Sequence, residues 1–417
     1  MKEIKRRTVK SKQEVMMMAK NIEGRVELIQ ALIPLGLAAV GDLLQQEVQE
    51  LVGERYERER AHPGLVRWGQ QKSSVYLSDQ KLSVNVPRVR DYLTKKEMAL
   101  KSLEQLKVPR NCDEGLFRKV LKGLSCRDYE GCAEAVPEAF GLSASTISRR
   151  YIRASARKLK ELISRDLGSH DFVAIVMDGK HFAKDEIVIC VGITVEGEKM
   201  ILGFIQTATE NEKSCSDFLR ELLERGLKVE EGLLCLIDGS KGLHKAIESV
   251  LGERAVIQRC QWHKRENVVS YLPEEDQGMV RRKLQAAYEK PTYKEARASL
   301  LKVKAELEIM NLSAMRSLEE GFEETLSLHR LGLFKELGVS LKTTNLIESI
   351  NARLGEKTDK VDYWKSSDQK QRWVASALLE IEKGFRKIKG FRNLPRLKEA
   401  LKKTITERNI KNMKLAA

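Results

Sequence analysis

No apolar run in this chain approaches the roughly 20 residues that a bilayer-spanning helix needs, which argues against a helical membrane protein. The opening, MKEIKRRTVKSK, is basic but has no apolar h-region behind it, so no secretory signal is expected and the working place is the cytoplasm. A disulfide framework is missing as well. The seven cysteines, Cys112, Cys126, Cys132, Cys190, Cys215, Cys235 and Cys260, are odd in number and follow no repeating spacing. There is no internal repeat and no low-complexity tract. Acidic charge is in deficit: 60 Asp and Glu stand against 75 Lys and Arg, giving a net charge of +15. A polyanionic partner follows. Nucleic acid leads an anionic membrane surface, because no strongly amphipathic basic helix with a bulky apolar face stands out.

What is present is the material of a globular protein. With 42% apolar and 32% charged residues over 417 positions, two or three domains are expected. From Ile22 to about Gly53 the apolar residues fall at helical spacing, which predicts a helix pair broken near Pro34 to Gly36. The segment SVYLSDQKLSVNVPRVR then alternates apolar and polar around Ser78-Asp79-Gln80. It predicts a β-hairpin ending at Pro87, with Arg88 and Arg90 just beyond. Residues 113 to 166 return to helical periodicity. Within them AEAVPEAFGLSASTISRRYIRASARKL has a helix, a Gly141 turn, a Ser143 cap and a second helix carrying Arg149, Arg150 and Arg153. That layout fits a helix-turn-helix with its second helix in a major groove, and equally an αα-hairpin with a basic face.

After Asp171 the texture becomes α/β. Apolar runs at 172 to 178, 186 to 195, 199 to 207, 233 to 238 and 255 to 260 read as strands. Glu196-Gly197-Glu198 joins the second to the third as a hairpin, and helices stopped at Gly226 and Gly252 separate the last three. The order strand, strand, strand, helix, strand, helix, strand is the ribonuclease H-like arrangement, a mixed five-stranded sheet with helices on both faces. From 264 to about 340 no strand is expected, only helices interrupted at Pro291; TTNLIESINARL and the long helix QRWVASALLEIEKGFRKI follow, leading to a basic tail.

Asp178 closes the first apolar run and Asp238 the fourth, each followed by Gly. Asp-Gly is a common turn dipeptide, while a carboxylate ending a buried strand also stands at the sheet rim where ligands bind. Glu348 lies three residues after Asn345, a spacing that suits a capping box. Taken together the three carry more. A ribonuclease H-like sheet sets its first and fourth strands side by side, so the aspartates converge and a helix-borne glutamate closes the cluster. Carboxylate oxygens are what Mg2+ (or Mn2+) takes, and two such ions about 4 Å apart activate an attacking water or 3′-hydroxyl and stabilise the leaving oxygen of a phosphodiester.

With VPRVRD, MDGKHF, LGFIQTATENE, IDGSKGL, TTNLIESINARL and RWVASALLEIEKGFRKIKG in place, the chain resembles the DDE transposases of bacterial insertion sequences of the Mutator-related type over nearly its whole length. The resemblance implies a DNA-cleaving and strand-transferring enzyme in which Asp178, Asp238 and Glu348 match the catalytic, metal-binding triad. It implies double-stranded DNA as partner, both terminal inverted repeats and target, and a homo-oligomer on paired ends in the bacterial nucleoid. By analogy the helical segment is an insertion between the second aspartate and the glutamate. Six segments follow: 1–110, helical with a hairpin; 111–168, helix-turn-helix; 169–263, first part of the core; 264–340, insertion; 341–390, second part of the core with the glutamate; 391–417, basic tail. Two rivals are a catalytically dead DNA-binding derivative and a ribonuclease H-like nuclease without strand transfer.

The family also carries a Cys/Asp-x-x-His signature after the second aspartate, matched by Cys260 and His263 in RCQWHKREN. No zinc is expected there, since a structural site needs four ligands and no second close pair lies nearby. A place beside Asp238 suits the segment better. His263 would then orient the scissile strand or a water, Trp262 stack on an unpaired base, and Lys264 and Arg265 meet phosphate; alternatively Cys260 and Trp262 pack the base of the insertion.

Overall fold

The computed structural model describes residues 22–55, 64–77, 80–107, 112–127, 143–209 and 211–416. Two compact units divide the chain, residues 1–154 and 155–417. Among the described residues no helix is long and apolar enough to cross a membrane.

The first unit begins with α1 (Ile22–Val52), which runs unbroken through Pro34. The predicted break there is not found. A proline forfeits one backbone hydrogen bond, and the stripe Val40, Leu44, Val48 and Val52 offsets the loss by packing on a sheet. That sheet is the antiparallel ribbon β1 (Leu65–Leu77) and β2 (Gln80–Asp91), with β3 (Glu97–Met98) on its edge. The hairpin does not end at Pro87 as its sequence suggests; β2 continues to Asp91 and holds Arg88 and Arg90 inside the strand. Proline is tolerated because the opposite strand bulges between Arg67 and Gln70, where Gly69 has φ +79°. Then come α2 (Lys101–Lys107), α3 (Cys112–Leu121) and α4 (Ala144–Ile163). The first helix and Gly141 turn of the expected helix-turn-helix lie outside the described residues. α4 is the second helix: the Ser143 carbonyl accepts from Ile147 N–H at 3.0 Å, and Tyr151 stacks on Phe117.

The second unit is built on β4 (Phe172–Phe182), β5 (Asp185–Thr194), β6 (Lys199–Thr207), β7 (Leu233–Ile237) and β8 (Ala255–Arg259), in the spatial order β6-β5-β4-β7-β8. The first three are antiparallel neighbours, and β4, β7 and β8 are parallel. Between them α5 (Glu212–Glu224) and α6 (Lys241–Leu251) bury Phe218, Leu222, Leu243 and Ile247 against the strands. All five strands and the Gly197 hairpin match the sequence expectation to within a few residues.

Helices then take over. From α7 (Gln261–Val269) through α8 (Glu274–Tyr288), α9 (Tyr293–Met310), α10 (Leu312–Glu319), α11 (Ser327–Arg330) and α12 (Phe334–Leu341) no strand intervenes among the described residues. This segment has a core of its own around Val268, Leu284, Leu300 and Leu318. Next come α13 (Asn345–Thr358) and α14 (Ser367–Glu382). The last stretch, expected as a basic tail, is instead α15 (Leu394–Ala416). Its Leu394, Leu397, Leu401 and Ile405 recur at helical spacing and are buried, with Leu401 and Ile405 lying against Gly232.

Candidate active site

The sheet register brings the two aspartates together. β4 pairs with β7 from Ala174↔Leu234 to Met177↔Ile237, so the next residue on each parallel strand is Asp178 and Asp238. Asp178 does not close its strand as the apolar run suggests. β4 continues to Phe182 because its hairpin with β5 is longer than its pairing with β7, and Asp178 lies opposite Ile189. The turn reading of this Asp-Gly pair therefore fails. For Asp238 the turn is real: its Oδ1 accepts from Ser240 N–H at 2.9 Å, and Gly239 takes φ +125°, a conformation that glycine supplies at no steric cost. Ser240 then caps α6 by accepting from Leu243 N–H.

Asp178 is 6% exposed, and burial, followed by the charge of Asp238, pushes its carboxyl up to about 7.

Glu348 arrives on α13. The capping box is not formed: Thr344, rather than Asn345, is the N-cap residue, and it makes no side-chain cap bond. Glu348 is free to point outward, and its Oε1 lies 3.6 Å from Nε2 of His263. Lys180, two residues after Asp178, holds α13 against the sheet by donating to the Asn351 carbonyl at 2.7 Å.

His263 is on the first turn of α7. Its Nδ1 lies 3.3 Å from the Thr344 hydroxyl, which is also within bonding reach of Asp178. Bonding to Cys260 and the negative charge of Cys260, Asp178 and Asp238 outweigh burial and raise His263 to about 9, so the ring is a cation at neutral pH. Cys260 is fully buried at the N-cap of α7. Its Sγ accepts from Thr344 N–H at 3.4 Å, its own N–H donates to the Ile237 carbonyl at 2.7 Å, and burial of the thiol is outweighed by His263, which holds it below its ordinary value. Trp262 meets the His263 ring edge-on and is 43% exposed. Of the two residues that the packing alternative places at the base of the insertion, Cys260 is inside and Trp262 is largely outside.

The other predicted site residues divide too. Lys264 is buried; its ammonium donates to the Ser317 carbonyl at 2.8 Å, and burial lowers it to about 8. Arg265 bonds Glu266 and Gln285. The structure turns both into the helical segment: Lys264 shares the inner face of α7 with Gln261 and Val268, and Arg265 reaches Gln285 on α8. On α4, Arg149 and Arg153 are exposed, but Arg150 is 3% exposed and shares the inner face with Ile147 and Ala154.

Thr344 and Lys180 join the site without having stood out in the sequence, and Arg259 stands beside it at the end of β8. Arg259, next to Ile237 on β8, bonds Glu324 at 3.0 Å, and Glu324 also takes His244 Nε2 at 2.6 Å. A signal exists for Thr344, one turn before Glu348, and for Lys180, two residues past Asp178; Arg259 gives none, since a basic residue ending an apolar run reads as a solvated strand end.

Among the described residues no three His, Cys, Asp or Glu side chains stand close enough together to hold a metal ion. The donor chemistry nonetheless fits a hard divalent ion: carboxylate oxygens predominate, and a cation would offset the burial of Asp178 and the charge of Asp238 beside it.

A family model described as the Mutator family of transposases matches residues 5–387. The chain belongs to that family. Similar proteins include the transposase for insertion sequence element ISRM5 of Rhizobium meliloti (strain 1021), 27% identical over 68% of this chain and 71% of that protein. The transposase for IS905 of Lactococcus lactis subsp. lactis (strain IL1403) is 25% identical over 81% and 85%. The transposase for IS406 of Burkholderia multivorans (strain ATCC 17616 / 249) is 26% identical over 84% and 92%. In this Mutator-family chain the matched span takes in every carboxylate of the site together with Cys260, His263 and Thr344.

Proposed function

We infer that this Mutator-family transposase is a DDE enzyme that binds the terminal inverted repeats of an insertion sequence and carries out metal-dependent strand cleavage and strand transfer. One observation carries the reading: Asp178 and Asp238 follow directly on the register pair Met177↔Ile237 of two adjacent parallel strands, and Glu348 lies on α13, the helix that Lys180 of the first strand ties to the sheet. The strand order β6-β5-β4-β7-β8 supports a ribonuclease H-like core.

In this reading Asp178, Asp238 and Glu348 hold two Mg2+ (or Mn2+) ions. When bound, the ions activate the attacking oxygen and stabilise the leaving oxygen. The nucleophile is water for nicking and a 3′-hydroxyl for joining, with no covalent protein intermediate. The chain's own residues set the stage. Lys180 fixes the helix that bears Glu348, and the His263 imidazolium, bonded through Thr344, keeps the glutamate at the mouth of the site and adds positive charge where the scissile phosphate enters. Trp262, exposed beside it, offers a ring for an unpaired base at the nick. Arg149 and Arg153 on the outer face of α4 contact the duplex end, and the enzyme acts as a homo-oligomer on paired ends.

Incubating the protein with Mg2+, end-containing DNA and a target plasmid tests this. Nicked ends together with end-to-target joined products support it. Cleavage without joining indicates a nuclease, and specific binding without cleavage a dead derivative.

A further inference from the structure

One face of the three-stranded sheet in the first unit is covered by α1 and α2 through Val40, Leu44, Val48 and Leu103. Because side chains alternate along a strand, the other face of β1 and β2 carries a separate set of residues. From the hairpin inward its cross-strand pairs are Tyr76↔Lys81, Ser74↔Ser83 and Lys72↔Asn85; at the next pair, Gln70↔Pro87, Gln70 is exposed and Pro87 buried. Past the bulge, Trp68 is 49% exposed and lies under the Arg90 guanidinium, 4.7 Å from ring centroid to Cζ.

Charge on the ribbon is one-sided. β1 and β2 contain Arg67, Lys72, Lys81, Arg88 and Arg90 against the single carboxylate Asp91, which is occupied by the N–H groups of Leu93 and Thr94; of the five cations, Arg88 is paired with Glu97 on β3. A surface built to dock another protein carries an apolar centre depleted of charge. Here the centre is hydroxyl, amide and ammonium, a composition that matches a polyanion. The two aromatics stand at opposite ends, and each has a cation over its ring, Lys81 over Tyr76 and Arg90 over Trp68. They do not form the row of open rings on which successive unpaired bases stack. A two-stranded antiparallel ribbon does match the width of a duplex major groove.

The geometry points to the open face of the β1–β2 ribbon as a second duplex-DNA contact surface, in which Lys72 and Lys81 meet phosphates and Ser74, Ser83 and Asn85 face base edges. It deepens the transposase reading and rests on it. Trp68, braced by Arg90, closes the end of the surface with an uncharged contact. Nothing in this surface belongs to the carboxylate site.

The test measures equilibrium binding of the full-length chain to a short duplex cut from the boundary of the encoding element, to a scrambled duplex and to one separated strand, across a salt series. Light scattering runs in parallel. Lys72→Ala/Lys81→Ala is expected to weaken duplex binding and to lower the slope of log affinity against log salt by about 2, since each phosphate contact contributes about 0.9. Trp68→Ala is expected to weaken binding with the slope kept, and Lys403→Ala, on α15, to change neither. Unchanged melting temperatures exclude unfolding as the cause. A wild type that binds duplex while the ribbon variants match it overturns this inference alone; a wild type that binds no duplex overturns the transposase reading as well. Loss of single-strand binding only, or an altered mass with duplex binding intact, also overturns it, assigning the face to unpaired bases or to a second copy.

Discussion

Nε2 of His263 and Oε1 of Glu348 lie 3.6 Å apart, a charged contact between the helix that leaves strand β8 and the helix that carries the third carboxylate. The imidazole is anchored at its other nitrogen by Thr344. Removing it leaves Glu348 without its partner and Asp178 with less compensation. His263→Ala is expected to stay folded and to lose roughly 10- to 100-fold in nicking of end DNA, the usual effect of losing a group that orients metal-site ligands. Wild-type nicking by a folded variant would remove His263 from the account.

Asp178 is held at a cost to the fold. Its folded-state carboxyl titrates at about 7 against an ordinary value of 3.8, so folded protein keeps a proton that unfolded chain releases. Stability from this group is full below pH 3.8, falls as pH rises through the window to about 7, and stays low above it. Asp178→Asn is therefore expected to stabilise the metal-free protein at pH 8, by up to about 4 kcal/mol, and to give little gain near pH 4. Urea unfolding at the two pH values, with chelator present, reads this out. Equal gains at both would mean that ionisation of Asp178 is not the cause.

His329 has the opposite sense. It is 3% exposed, stacked on Phe334, with Nε2 donating to the carbonyls of Tyr288 and Lys290, and burial depresses it to about 4 from 6.5. The stability it confers as a neutral ring is present above pH 6.5 and is lost as pH falls through about 4, up to about 3 kcal/mol. His329→Gln keeps a donor near Nε2 without the titration. The variant should be the less stable protein at pH 8 and should show a shallower loss between pH 7 and pH 5. A parallel loss in both proteins would exclude His329 as the source.

Lys264, whose charge and position suit a phosphate contact, is instead buried on the Ser317 carbonyl. Lys264→Ala is expected to destabilise the fold by about 1 to 3 kcal/mol, the range typical of an orphaned buried acceptor, and so to lower the melting temperature. The salt dependence of DNA binding should be unchanged. A reduced salt slope at unchanged stability would restore the phosphate role.

Leu401 has no exposed surface and ties α15 to the sheet beside Gly232. Leu401→Ala is expected to destabilise the second unit by about 2 to 5 kcal/mol, as for other fully buried leucines. A change below about 0.5 kcal/mol, the range of surface substitutions, would show that the helix contributes no core.

The strands of the second unit are legible because buried strands read as uninterrupted apolar runs and their turns carry glycine. The two aspartates are legible for the same reason, since a carboxylate ending such a run has few places to go. The positions that mislead share a cause: charge or proline masks the periodicity around them. Arg150 falls between Ile147 and Ala154 on a helix, and Lys264 between Gln261 and Val268, so spacing of three and four puts both on inner faces. Pro34 and Pro87 look like terminators, yet tertiary packing carries α1 through one and a bulge accommodates the other. The leucines of α15 are hidden in a stretch whose lysines dominate its composition. Thr344, Arg259 and Lys180 act through contacts between distant segments, which no local pattern encodes.

The central claim is that Asp178, Asp238 and Glu348 form one catalytic carboxylate set. It is tested most directly by nicking of end-containing DNA in Mg2+ by wild type, Asp178→Asn, Asp238→Asn and Glu348→Gln, with end-DNA binding measured on the same preparations. The expected result is cleavage by wild type only when the divalent ion is present, and loss of cleavage to background in each variant with DNA binding retained. Cleavage near the wild-type rate by any one of the three variants would contradict it.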